Sequence, residues 1–247
     1  LDMTLIPDFG QVASDKKVLN LTPFEQKYSE NRPFFTEGTE LFFKGNLFYS
    51  RRIGGQPLHQ YDVRSSLQTN EVVLKNPTES KLLNATKISG RNPKGFAVGF
   101  LNALTQTTYA EVEDTSSHQK HKVETNPLTN YNVLVFDQTL KNNSSVSLIN
   151  TNVWRSGSDY DANVTALVFD LNNKKNTYNI NGKFANSQIT NKPLKNISGY
   201  AHTIGIGKPG GRFNFNLTED LADKRFNNID LGILFNNDYI DHYLWFG

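Results

Sequence analysis

Thr177-Tyr178-Asn179-Ile180-Asn181-Gly182-Lys183-Phe184-Ala185-Asn186-Ser187-Gln188 is the most regular stretch of the chain. Tyr178, Ile180, Gly182 and Phe184 share one parity, while Thr177, Asn179, Asn181 and Lys183 share the other. Successive side chains of a strand point to opposite faces, so the stretch predicts a β-strand with one apolar and one polar face. Asparagine is depleted in ordinary strands. A strand with one face in lipid and the other in a wet lumen accommodates it. Phe213-Asn214-Phe215-Asn216-Leu217 repeats the pattern.

Working outward, similar alternation marks residues 1–9, 81–89, 96–112, 131–140, 144–155, 163–171, 200–207, 231–235 and 239–246. The links between them carry turn chemistry: Lys141-Asn142-Asn143, Ser156-Gly157-Ser158-Asp159 and Asn172-Asn173-Lys174-Lys175-Asn176. Residues 58–80 and 118–126 are polar and predict loops. This amounts to about ten strands, many near the length that crosses a bilayer at a tilt, about 9–11 residues. No βαβ spacing occurs, which argues against a parallel sheet.

The 247 residues suffice for one large all-β domain or two smaller ones. A net charge of +2 makes no case for nucleic acid as a partner. Cysteine is absent, so disulfides and thiolate metal sites are excluded. No run of about 18 apolar residues is present, so no helix is expected to span a membrane. Leu1-Asp2-Met3-Thr4 reads like the inside of a strand, with no leader pattern, and suggests a piece of a longer precursor.

Alternating antiparallel strands fit two architectures. A soluble secreted β-sandwich, binding carbohydrate or forming part of a glycan hydrolase, would bury its apolar faces and wet its polar ones. An up-and-down outer-membrane β-barrel would turn its apolar faces to lipid and line its lumen with the polar ones. The asparagine-rich faces and the strand-end aromatics Tyr131, Trp154, Tyr160, Tyr178, Tyr200, Tyr239, Tyr243 and Trp245 favour the barrel.

Residues 8–53 break the strand pattern and concentrate charge, proline and aromatics. Thr22-Pro23-Phe24-Glu25 has the composition of a helix start, which Pro33 keeps short. Arg32, Arg51 and Arg52 are candidate ligand-binding cations, and Phe34, Phe35 and Tyr49 candidate stacking surfaces. The competing expectation is that Glu25, Glu30, Glu37 and Glu40 pair with the cations and that the rings form a core, so the segment plugs a barrel. Catalytic residues, a metal and a cofactor are not expected. The histidines lack a metal-site pattern, and Asp159-x-Asp161-x-Asn163 lacks the rest of a calcium loop. Gly205 to Gly211 is glycine-rich without a following helix and predicts a hairpin connection.

Pro7-Asp8-Phe9-Gly10-Gln11-Val12, Asn20-Leu21-Thr22-Pro23-Phe24-Glu25, Glu30-Asn31-Arg32-Pro33-Phe34-Phe35-Thr36-Glu37-Gly38 and Phe48-Tyr49-Ser50-Arg51-Arg52-Ile53-Gly54 resemble the signature of an uncharacterised family of Gram-negative outer-membrane β-barrel proteins. Lys87-Ile88-Ser89-Gly90-Arg91 and Gly99-Phe100-Leu101-Asn102-Ala103-Leu104-Thr105 resemble its first barrel strands. Members usually carry the barrel after a domain like the family 9 carbohydrate-binding modules, which this chain does not contain. The resemblance implies an all-β antiparallel barrel, whole or partial, over residues 81–247, with a plug-like segment in residues 1–80. It implies a bacterial outer-membrane location with lipid as partner, and a non-enzymatic role in binding, passage or assembly. A glycan, other envelope proteins or a remainder of the same barrel are the further partners it suggests.

Overall fold

The computed structural model describes residues 27–191 and 195–247, and the backbone of residues 2–5. The expected turn at 8–10 and helix start at 22–25 lie outside the described residues. The described residues form thirteen strands, all paired antiparallel: β1 (Asp2–Leu5), β2 (Glu71–Lys75), β3 (Leu82–Arg91), β4 (Phe96–Thr105), β5 (Thr108–Asp114), β6 (Lys120–Asn126), β7 (Thr129–Leu140), β8 (Ser144–Arg155), β9 (Asp161–Asn172), β10 (Asn179–Thr190), β11 (Ile197–Lys208), β12 (Phe215–Ala222) and β13 (Tyr239–Phe246). Ten of them form one sheet in the order β1-β3-β4-β7-β8-β9-β10-β11-β12-β13, and β2-β5-β6 form a second. Among the described residues β1 and β13 are the edges of the large sheet and do not pair with each other.

The expected all-β antiparallel class is observed, with four corrections. The 96–112 stretch is two strands, β4 and β5, separated at 106–107, and the chain changes sheet there. Residues 58–80 contain a one-turn helix α1 (Val63–Ser66) and β2. Most of the polar 118–126 stretch is β6, which pairs residue by residue with β5 despite having no apolar face to announce it. Residues 231–235 are not a strand; Leu231 is instead a buried anchor in the link between β12 and β13.

Residues 27–53 lie on one face of the large sheet, which we call the inner face. Their 3-10 turns at Pro33–Phe35, Lys44–Asn46 and Ser50–Arg52 place Phe35, Phe42, Leu47, Phe48 and Ile53 in the core. The sheet answers with Leu101, Ala103, Val133, Val135, Ile149, Val164 and Ala166. Close approach requires missing side chains. A Cβ on Gly99 would stand 3.1 Å from the Phe42 ring, and one on Gly45 (φ +69°) would stand 2.7 Å from Val168. The tight β7–β8 turn uses Asn142 and Asn143, both at positive φ, as primed hairpin turns demand.

The opposite, outer face is where the opening alternation is resolved. On β10, Ile180 and Phe184 point outward at 44% and 46% exposure. Further along the same strand the polarity reverses: Ala185, Ser187 and Ile189 are buried inward, while Asn186, Gln188 and Thr190 are exposed outward. Of the strand-end aromatics, Trp154, Tyr178, Tyr200, Tyr243 and Trp245 are exposed, whereas Tyr131 is buried.

Candidate functional site

The six residues singled out in the N-terminal segment are brought together, and their partners are internal. Arg32 forms a fork with Glu30 (Nε to Oε1 2.9 Å, Nη2 to Oε2 2.8 Å), donates to the carbonyls of Ile53 and Ser50, and lies 4.4 Å over the Phe35 ring. Ser50 Oγ donates to Glu30 Oε2 at 2.6 Å. Burial would raise the Glu30 carboxyl, but the hydrogen bonds and charge of Arg32 and the Ser50 hydroxyl outweigh it and hold the group below its ordinary value. Arg51 donates to the Ser29 carbonyl, and Arg52 donates to that of Gly232 at 3.0 Å. Tyr49 is nearly buried, and its amide donates to the Leu231 carbonyl at 2.6 Å. Phe34 meets Phe35 edge-on at 5.0 Å and lies under the Lys87 ammonium.

Buried charges then fasten the segment to the sheet. Lys87, 2% exposed on β3, donates to the carbonyls of Phe34 and Glu37. Asp137 of β7, fully buried at its carboxylate, takes Lys44 from the segment, Arg91 from β3 and the Ser147 hydroxyl from β8. Lys183 of β10 reaches the Gly45 carbonyl at 3.2 Å. His59 joins Asp62 (3.0 Å) to Asp159 (2.9 Å) in the β8–β9 link. Burial lowers its pKa, but the two carboxylates more than compensate, so it is raised. Arg155 and Asp230 form a buried pair beneath Tyr160, whose hydroxyl donates to Asp230 at 3.0 Å. Burial and the Asp230 charge push the Tyr160 phenol up to about 12.

Two surfaces remain for function. The first is the outer face. Phe96, Val98, Phe100, Phe136, Leu148, Leu167, Ile180, Phe184, Ile206, Leu217 and Leu244 are each 37–56% exposed and run from β4 to β13. A polar row bounds this apolar area. Asn102, Asn132, Asn152, Asn163, Gln188 and Ser198 are register partners across six strands. Neighbouring amides bridge along it, as between Asn102 and Asn130 at 2.8 Å and between Asn150 and Asn163 at 3.1 Å. The apolar side chains lie mostly on the side of the row that carries the turns at 92–95, 141–143, 173–178 and 209–214. Toward β13, Glu219 takes His202 on one oxygen and His242 on the other, both at 2.9 Å. Among the described residues, no group of three or more His, Asp and Glu side chains is placed to hold a metal ion.

The second surface is an inner-face cleft of about 480 Å³ near the turns after β7, β9 and β11. Asn143, Asn172, Asn179, Asn181, Asn216 and Trp245 line it, with Asp170 and Lys208. Register places them there: Asn172 pairs with Asn179, Asn179 with Gly207, Gly207 with Asn216, and Asn216 with Trp245. Sequence reasoning did not assemble this group. The alternating asparagines of 177–188 and 213–217 were its signal, but which strands meet is a tertiary fact.

The fold and these surfaces define a class: an antiparallel all-β protein whose N-terminal segment is packed on one face of a large sheet while the other face stays apolar and open. The chain belongs to the family described as "Domain of unknown function (DUF5916)", whose model matches residues 1–247. No match was found among curated proteins or among solved structures.

Proposed function

We propose that this chain is an outer-membrane β-barrel domain, whole or partial, whose outer face meets lipid and whose N-terminal segment sits inside as a plug. Its role on this reading is non-enzymatic: binding or passage of a polar solute, or assembly with other envelope proteins. The carrying observation is the exposed apolar face that spans β4 to β13. Contiguous apolar surface of that extent is rare on a protein surrounded by water and marks an interaction surface. Its distribution suits a bilayer. Strands β7 to β11 each have 12 residues. At about 3.3 Å per residue and a tilt near 40°, such a strand crosses roughly 30 Å. The polar row then lies at or beyond one edge of the hydrocarbon.

A sandwich would need a second sheet over this same face. The three-stranded sheet of β2, β5 and β6 instead packs into its own small cluster, with Val63, Ala110 and Val112 at its centre. The chain's lack of cysteine makes the test clean. Single cysteines at Ile180 and Phe184, spin-labelled in reconstituted bilayers, should report a lipid environment, and cysteines at Asn179 and Asn181 a wet one. A chain that is folded and monodisperse in plain buffer, without detergent, would overturn the reading.

A further inference from the structure

The amide cleft gathers oriented side-chain amides, a carboxylate and an indole in one place. Asn179 Nδ2 donates to Asp170 Oδ1 (2.7 Å) and Asn172 Oδ1 (3.0 Å), and Asn172 Nδ2 donates to Asp170 Oδ1 (3.1 Å). Asn181 Nδ2 donates to Asn179 Oδ1 at 2.5 Å. These bonds, with those of Asn172 Nδ2 to the Asn143 carbonyl and Asn216 Nδ2 to Thr218 Oγ1, commit both hydrogens of Asn172 and Asn179 but one each of Asn181 and Asn216. They leave acceptor lone pairs on the amide oxygens, since an amide offers two donor hydrogens and two acceptor lone pairs. Glycine keeps the floor open. A Cβ on Gly205 would stand 2.9 Å from Asn181 Oδ1, and one on Gly207 would stand 3.3 Å from Asn216 Oδ1. On the β13 side, Trp245 presents its indole at 45% exposure instead of burying it. The single carboxylate of Asp170 is engaged by two amides, and the Lys208 ammonium is turned onto the Phe213 carbonyl at 2.9 Å.

We propose that this cleft binds a neutral oligosaccharide, with Trp245 stacking on a sugar ring and the amides of Asn179, Asn181 and Asn216 meeting its hydroxyls. A sugar ring has an apolar face and a rim of groups that donate and accept, which matches an indole beside a bank of oriented amides. The near balance of charge selects against anionic ligands. A peptide would look for a row of backbone partners or deep apolar pockets, and the cleft's walls are side-chain amides. The volume falls in the range of small-ligand sites, about 300–1,000 Å³. The inference stands on the inner face alone and holds whether the outer face meets lipid or not.

The test uses the full chain in an amine-oxide detergent, whose headgroup contains no sugar, and again in plain buffer if it is soluble there. The chain has two tryptophans, so Trp154→Phe leaves Trp245 as the sole indole reporter. Neutral gluco-, xylo-, manno- and chito-oligosaccharides are titrated against its fluorescence and by calorimetry, with an acidic oligosaccharide and a tripeptide as comparisons. At least one neutral oligosaccharide should bind saturably. Trp245→Ala should weaken it by about tenfold or more, and Trp245→Phe, which keeps a ring, by no more than roughly threefold. Asn181→Asp, which keeps the shape but adds a second carboxylate, should weaken it as well. The proposal is overturned if no neutral oligosaccharide binds below ~10 mM. It is also overturned if the acidic sugar or the peptide binds better, or if Trp245→Ala and Asn181→Asp, each verified as folded by thermal unfolding, bind like the parent.

Discussion

Arg32 shows how one side chain organises a segment that has little regular structure. Its guanidinium holds Glu30, two carbonyls and the Phe35 face at once. Removing one partner of a largely buried, hydrogen-bonded pair strands the other, so Arg32→Ala should destabilise the chain by about 3 kcal/mol in denaturant unfolding. A loss below ~1 kcal/mol would show that the fork is not what holds the segment. The Glu30 carboxyl is depressed below 4.5, so its contribution is present above that pH and disappears as acid is added through the lower folded value. His59 has the opposite sign. Its pKa is raised above 6.5 by Asp62 and Asp159, so its contribution is complete below 6.5 and fades as the pH rises through the raised value. The melting temperature of the parent should therefore fall relative to His59→Gln as the pH is taken from below 6.5 upward. Parallel pH profiles for the two proteins would contradict this. The cations and rings of this segment were legible in the sequence as a cluster, and so was the need for each charge to find a partner. Lys87, Asp137 and Lys183 were not legible, because the N-terminal residues they hold lie 50 or more positions away.

At the scale of elements, glycines mark where a loop is pressed onto a strand. A Cβ on Gly199 of β11 would stand 2.2 Å from the backbone of Arg225 and Phe226, which cannot move without displacing the β12–β13 link. A Cβ on Gly90 of β3 meets nothing within 4 Å. Gly199→Ala should therefore cost about 2–3 kcal/mol in thermal or chemical unfolding, while Gly90→Ala is neutral or mildly stabilising. Equal effects would mean that the link does not rest on β11. The same link carries Leu231 and Gly232, whose carbonyls accept from Tyr49 and Arg52. Within it Leu231, Ile233 and Phe235 alternate and so predict a strand, where the structure has none. β6 presents the converse case. Its pairing with β5 is made by the backbone, and a surface strand without an apolar parity has no period for a reader to find.

At the scale of the molecule, the issue is which way the sheet faces its surroundings. One face of the ten-stranded sheet is covered by residues 27–53, and the other shows Phe100, Leu148, Leu167 and their neighbours to whatever lies outside. If that is lipid, Leu167→Lys should cost about 2–4 kcal/mol of folding stability in bilayers, because a charge on a lipid-facing strand is expelled in proportion to its depth. A cost near zero, together with higher solubility in buffer, would point to water on that face. The all-β antiparallel class was recoverable from alternation alone, as were most strands of the large sheet.

Local chemistry by itself determined the strand periods, the turn positions and the N-terminal segment's departure from both, because those depend on side chains one to four positions apart. It also determined that each strand has two unlike faces. Only the tertiary structure decided which face turns inward. On β10 the even positions stay outside throughout, Ile180 and Phe184 together with Asn186 and Gln188, while the odd positions Ala185, Ser187 and Ile189 are taken inside. Alternation is symmetric under exchange of the two sides, so a period of two cannot choose between them. The choice was made by residues 27–53 covering one side, and register alone gathered Asn172, Asn179, Asn181, Asn216 and Trp245 into one cleft from four strands.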